Sequence, residues 1–225
     1  MPKRKIPLQD TEIYHIYTKS IAGFKIFNHS SEYIRMLNLM AFYNGSEQPC
    51  SFSDLEKLSE KRLIDTSLLL KPITSQKRVD ILAYCLMPTH MHLILKQIAN
   101  DGISKFTKAI LKSHSQYING KYKRRGPLWE GRFKNVLVET DEYLLHLTRY
   151  IHLNPTSDDL VDKPENWNYS SYKAYLKIPD NITVQDNLCA HEKYIEIRPS
   201  AYKQFVEDRV SYQKMLSQIK HLTLE

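Results

Sequence analysis

The chain is poor in cysteine. Cys50, Cys85 and Cys189 are the only three in 225 residues, an odd number with no Cys-x-x-Cys spacing. This argues against a disulfide framework and a zinc ribbon and suits a reducing cytoplasm. No run of 18 apolar residues occurs, and the opening MPKRKIPLQD has no apolar stretch. Neither a membrane span nor a standard secretion signal is therefore expected. A G-x-x-x-x-G-K-[ST] loop is missing, so no phosphate cradle of that kind is available. Internal repeats and low-complexity tracts are also lacking. What remains, 42% hydrophobic and 11% aromatic residues, is enough to bury a substantial core as one domain with appendages.

Charge is unevenly placed. The formal net charge is +7, and the stretch from Asp101 to Leu137 accounts for as much on its own. It carries Lys105, Lys108, Lys112, Lys121, Lys123, Arg124, Arg125, Arg132 and Lys134 against Asp101 and Glu130. Such a patch suits phosphate contacts. Tyr117, Tyr122, Trp129 and Phe133 are interleaved with the cations and could stack on the bases of an extended single strand. A solvated charged face, with Trp129 or Phe133 in the core, gives the same pattern.

Residues 84–96 read YCLMPTHMHLILK. Short alternation of apolar residues predicts a strand, where residues i and i+2 share a face. His90 and His92 would then point side by side from a rigid element, as two nitrogen ligands of one metal must; two polar residues on a solvated strand face would look alike. Further on, Leu144, Leu147 and Ile151 form the stripe of an amphipathic helix, which Pro155 should end near Asn154. His146, Tyr150 and Asn154 follow one another at i, i+4 and i+8 on another side of it. A phenol and a carboxamide one turn apart could bring a nucleophile and an oxygen ligand over one metal.

The strand YCLMPTHMHLIL, the loop GPLWEGRFKN, the helix EYLLHLTRYIHLNP and the following WNYSSYKAYL resemble, in order, the HUH single-tyrosine transposases, and among these the REP-associated tyrosine transposases. The resemblance covers about residues 12–176. It implies that His90 and His92 bind a metal, that Tyr150 is the nucleophile and that Asn154 helps ligate the ion. Mg²⁺ and Mn²⁺ both remain open, since Mg²⁺ prefers oxygen and Mn²⁺ accepts nitrogen more readily. Tyr143, seven residues before Tyr150, is the alternative nucleophile. The other histidines, His15, His29, His114, His146, His152, His191 and His221, are expected to be packing or surface residues, with His146 alone on the Tyr150 face. Arg132, in the loop before the last strand, is a candidate phosphate contact or a structural ion pair. The turn Thr156-Ser157-Asp158-Asp159 departs from the usual basic or apolar stretch there, which puts in doubt any DNA contact at this turn.

The pattern predicts strands at 12–19, 78–86, 91–96 and 133–139, and helices at 31–43, from Ser53, at 103–118 and at 143–154. This βαββαβ order, with a further helix, matches an α+β, split ferredoxin-like fold with an antiparallel sheet and C-terminal helices. Residues 1–176 would form the transposase-like domain, with an insertion at 45–77. Residues 177–225 would form an extension with an irregular segment and a terminal helix at 200–219.

Two functions of different classes follow. One is an enzyme, acting as a monomer or homodimer, that cleaves and rejoins single-stranded DNA at hairpins through a 5′-phosphotyrosine. Lys112, Lys121, Lys123, Arg124, Arg125, Trp129 and Arg132 would hold the strand. The other is a domesticated, non-catalytic binder of structured DNA or RNA. A water-using metal hydrolase would need His90 and His92 but not Tyr150.

Overall fold

The computed structural model describes residues 7–48, 50–60, 76–179 and 188–213. Its framework is a four-stranded antiparallel sheet of β1 (Ile13–Lys19), β2 (Val79–Leu86), β3 (His90–Gln97) and β4 (Lys134–Leu137), ordered β2-β3-β1-β4. Helix α1 (Ser30–Asn44) and the shorter α2 (Phe52–Glu60) lie between β1 and β2, and α3 (Gly102–Lys121) lies between β3 and β4. Each crossover skips one strand position, so β1 and β3 occupy the centre, as expected of a split βαββαβ fold. Helices α4 (Asp141–Ser157), α5 (Tyr172–Tyr175) and α6 (Pro199–Glu207) follow.

Alternation along the strands sorts the side chains into two layers. Tyr14 and Ile16 of β1 and Met91, Leu93 and Leu95 of β3 pack with Met36, Met40, Phe106 and Ile110 of α1 and α3. On the other face Ile94 packs with Leu82, Ala83 and Cys85 against Leu144, Leu147 and Ile151 of α4. A register shift between Ile81 and Ala83 lets Leu82 and Ala83 both turn to α4. Sealing each such aliphatic side chain from water contributes about 1.5–3 kcal/mol. At the start of α3, a Cβ on Gly102 would lie 2.1 Å from the Arg78 carbonyl oxygen, so only glycine allows this approach.

Three expectations are corrected. Helix α4 does not stop near Asn154 but runs through Pro155 to Ser157. Pro155 offers no N–H, yet the last turn is held by Thr156 Oγ1 and Ser157 Oγ, which donate to the Leu153 carbonyl at 2.8 and 2.9 Å. The Asp158 N–H also returns to the Asn154 carbonyl at 3.0 Å. Strand β3 begins at His90, one residue before the expected 91, because backbone bonds in both directions between Met87 and His90 close the turn there. The terminal helix breaks at Glu207, where the Arg209 N–H tightens onto the Val206 carbonyl at 3.2 Å, and helical turns resume over 210–213. Residues 214–219 of that expected helix, and residues 49 and 61–75 of the expected insertion, lie outside the described residues.

Candidate active site

The strand layers decide which polar groups meet. Met91 and Leu93 face α1 and α3, so His90 and His92 face α4; on β1, Tyr14 and Ile16 leave His15, Tyr17 and Lys19 on that same face. Register places Tyr17 opposite His92 and Lys19 opposite His90. Thr140 caps α4 by accepting the Tyr143 N–H at 3.1 Å, and Asp141 and Glu142 stand at the positive end of its dipole. With its apolar stripe seated on β2, α4 brings the Tyr150 ring to 5.9 Å from that of His92, edge on. The His90 and His92 rings lie 5.2 Å apart. His90, His92, Tyr150 and Asn154, far apart in the chain, thus border one open cavity of about 1240 Å³.

Each strand histidine has its Nδ1 engaged. His92 Nδ1 meets His15 Nε2 at 2.9 Å between two buried, stacked rings, and His90 Nδ1 meets Thr89 Oγ1 at 3.2 Å. Metal-ligating imidazoles are commonly oriented through their other ring nitrogen in this way. Burial pushes His15 down to about 4, so it is a neutral partner. Asn154 Nδ2 donates to the Tyr150 carbonyl at 2.9 Å, so Oδ1 is the atom it could offer to a metal. Two imidazoles and a carboxamide oxygen suit a divalent ion that keeps places for water and phosphate oxygens. Among the described residues no group of three His, Cys, Asp or Glu side chains is arranged for a metal; a set here would draw on Asn154 beside the two histidines. Although Tyr150 is 40% exposed, partial desolvation raises its phenol above the ordinary value; a hydrogen bond from Asn154 opposes this, and the Asp158 charge adds to it.

The basic residues divide. Arg132 and Lys134 border the cavity, joined there by Lys19, Arg149 and Arg209 from outside the 101–137 stretch. Lys121 is instead 2.7 Å from the buried Glu32, which also accepts from the Tyr122 hydroxyl. Arg124 is tied to Asn119 and to the Pro127 carbonyl, over the Phe24 ring. Trp129 is buried, with its indole N–H on the Leu111 carbonyl at 3.2 Å; a core ring of this kind has no face for a base. Lys112, Lys123 and Arg125 are exposed, away from the cavity lining. Tyr143 is exposed in the first turn of α4 and does not border the cavity.

Among the remaining histidines, His114 and His152 are buried packing residues. His114 meets the Ile26 carbonyl, and His152 lies between the Tyr202 and Ser171 hydroxyls. His146 borders the cavity beside Arg149, and His221 lies outside the described residues. His15 is the site residue that sequence reasoning missed. Its alternation with Tyr17 was a signal for a shared face, but only the pairing of β1 with β3 shows that the face is that of His92.

Residues 57–154 match the family model described as transposase IS200 like. A Haemophilus influenzae protein named as a REP-associated tyrosine transposase is 28% identical over 108 residues, covering 44% of this chain; the chain spans 61% of that relative's length. A solved structure of a REP-associated tyrosine transposase bound to a REP hairpin superposes with a TM-score of 0.54 at 13% identity, over 88% of this chain and 99% of that one. At that identity the superposition speaks for the fold. The resemblance carried by the four motifs is thus met by a sequence match and by a shared architecture.

Proposed function

We propose that this chain, which shares sequence and fold with the REP-associated tyrosine transposases, cleaves and rejoins single-stranded DNA at hairpins, with Tyr150 as nucleophile. The observation that carries the reading is the convergence of Tyr150, His90, His92 and Asn154 on one cavity bordered by Lys19, Arg132 and Lys134. A phenol beside the His92 imidazole, in a cleft bordered by cations, is suited to attack on a phosphodiester.

His90, His92 and Asn154 would hold Mg²⁺ or Mn²⁺, which when bound polarises the scissile phosphate and offsets charge developing on it. His15 and Thr89 fix the rings of the two histidines. Lys19, Arg132 and Lys134 neutralise the backbone as it enters. The Tyr150 oxygen forms a bond to phosphorus and the bond to the 3′ oxygen breaks. The phenolic proton leaves and the departing 3′ oxygen takes one up, so the step is balanced. The product is a 5′-phosphotyrosine with a free 3′ hydroxyl. Its ester retains the energy of the phosphodiester, so attack by another 3′ hydroxyl rejoins strands without ATP.

Hairpins drawn from repeats near the gene, with single-stranded flanks, are the substrates to use. His90→Ala or His92→Ala should abolish their cleavage while leaving most of the affinity, which comes from phosphate contacts. Hairpins should outcompete plain duplex. Cleavage by the double variant in EDTA would refute the metal-assisted mechanism. Tight hairpin binding with no cleavage by the unaltered protein would favour the non-catalytic binder.

A further inference from the structure

Part of the cavity lining comes from the C-terminal extension. Helix α6 is anchored on α4: the Tyr202 hydroxyl meets His152 Nδ1 at 2.6 Å and donates to Thr148 Oγ1 at 3.0 Å. The chain then turns at 208–209, and Gln213 Nε2 donates to the backbone carbonyl of Tyr150 at 2.9 Å. Residues 209–213 are thereby fixed beside the proposed nucleophile, and Arg209, Tyr212 and Gln213 border its cavity.

Two arginines, Arg149 and Arg209, border the cavity on this side. Arg149, from the same helix as Tyr150, lies over the Phe205 ring at 4.1 Å and donates to the Phe205 carbonyl at 3.3 Å. Burial, and after it the positive charge of Arg209, hold its guanidinium below its ordinary value. Like charges on the rim of a cavity repel, and an anion between them relieves the repulsion. Next to them the Tyr212 ring is 49% exposed, with the Arg209 guanidinium 5.4 Å from its centroid. An exposed aromatic ring beside paired cations offers a nucleotide both of its needs, a face for the base and charge for the phosphate.

We propose that Arg149, Arg209 and Tyr212 form a single-strand DNA subsite that holds a nucleotide flanking the scissile phosphate, with its phosphate on the two guanidiniums and its base on Tyr212. The proposal rests on the single-strand cleavage reading above. It gives the C-terminal extension a place in the site: a strand leaving the sheet side of the cavity is caught on the α4 and C-terminal side, so the phosphodiester between is stretched across Tyr150.

The test uses the full chain without added metal, so that binding is read apart from catalysis. The probe is dT8, labelled for anisotropy, together with a copy in which 5-bromouracil replaces thymine for photo-crosslinking. Arg209→Ala should weaken dT8 binding about tenfold at low salt and lower the slope of log affinity against log salt by about one. Tyr212→Ala should weaken it by about fivefold to a hundredfold, the worth of one stacked base, and Tyr212→Phe should restore it. Lys177→Ala, at an ion pair with Glu192, should change nothing. Crosslinks should map to 209–212. If Arg209→Ala and Tyr212→Ala bind dT8 as the unaltered protein does, or crosslinks fall only elsewhere, the subsite is wrong while the cleavage reading stands. If these variants cleave hairpins faster, the segment covers the site instead, and the subsite is again wrong. If the unaltered protein binds no single strand, both readings fall.

Discussion

Replacing His15 by Ala should weaken metal binding without touching any proposed ligand. The structure pairs His15 Nε2 with His92 Nδ1 at 2.9 Å in a buried contact, so truncation leaves the His92 nitrogen buried without its partner. A buried polar group left unpaired costs about 1–3 kcal/mol. Where that penalty falls on a ligand's orientation, it corresponds to roughly a 10–100-fold loss of metal affinity. Mn²⁺ binding to the free protein, followed by electron paramagnetic resonance, should show this loss. The Mn²⁺ concentration giving half-maximal hairpin cleavage should rise by the same factor. Affinity for the DNA should stay, since the cations bordering the cavity are unaltered. His15→Gln keeps a polar group able to reach His92 and should recover part of the metal affinity, which a merely space-filling role would not explain. Unchanged Mn²⁺ affinity in His15→Ala would refute the reasoning.

Stability should fall on acidification in two stages. Burial pushes His114 down to about 4 and His152 to about 3 from 6.5, so below pH 6.5 the unfolded chain binds protons that the folded one does not, and stability falls toward pH 4. Burial pushes the Glu32 carboxyl up, but hydrogen bonds from Lys121, Tyr122 and the Asn28 N–H outweigh this and hold it at about 2 against 4.5. Its contribution is therefore complete above pH 4.5 and lost as pH falls toward 2. Thermal melts between pH 7 and 3 should show both stages, and a midpoint independent of pH would contradict them. Separately, Gly102→Ala sets a Cβ against the Arg78 carbonyl and should cost about 1–3 kcal/mol. Gly120→Ala, where a Cβ meets nothing within 4 Å, should be neutral or stabilising by up to about 1 kcal/mol; equal melting points for the two would refute the close approach.

The element order was readable because strand and helix periods alternate cleanly, and His90, Met91 and His92 declared a strand face through that period. The stripe of Leu144, Leu147 and Ile151 likewise oriented Tyr150. Long-range pairing was not readable. His15 resembles any strand histidine until β1 is laid against β3, and Lys121 and Trp129 resemble ligand contacts until Glu32 and the core claim them. The extent of α4 was misjudged because Pro155 removes a single N–H and does not prevent the residues after it from bonding back into the helix, as the Asp158 N–H does to the Asn154 carbonyl. Here Thr156 and Ser157, themselves unremarkable in sequence, hold the last turn. Arg149 and Arg209 escaped notice because neither lies in a basic run; they border one cavity only through the packing of α6 on α4.

One oxygen atom, that of Tyr150, carries the proposed chemistry. Unaltered protein, 5′- or 3′-labelled hairpin DNA with single-stranded flanks, and Mn²⁺ should give a protein–DNA adduct that survives denaturation and contains the DNA on the 3′ side of the break, joined through its 5′ phosphate. Tyr150→Phe removes only the hydroxyl and should eliminate the adduct with little loss of DNA affinity, while Tyr143→Phe should retain it. An adduct formed by Tyr150→Phe, or cleavage of the same hairpin by the unaltered protein with no adduct, would contradict the assignment.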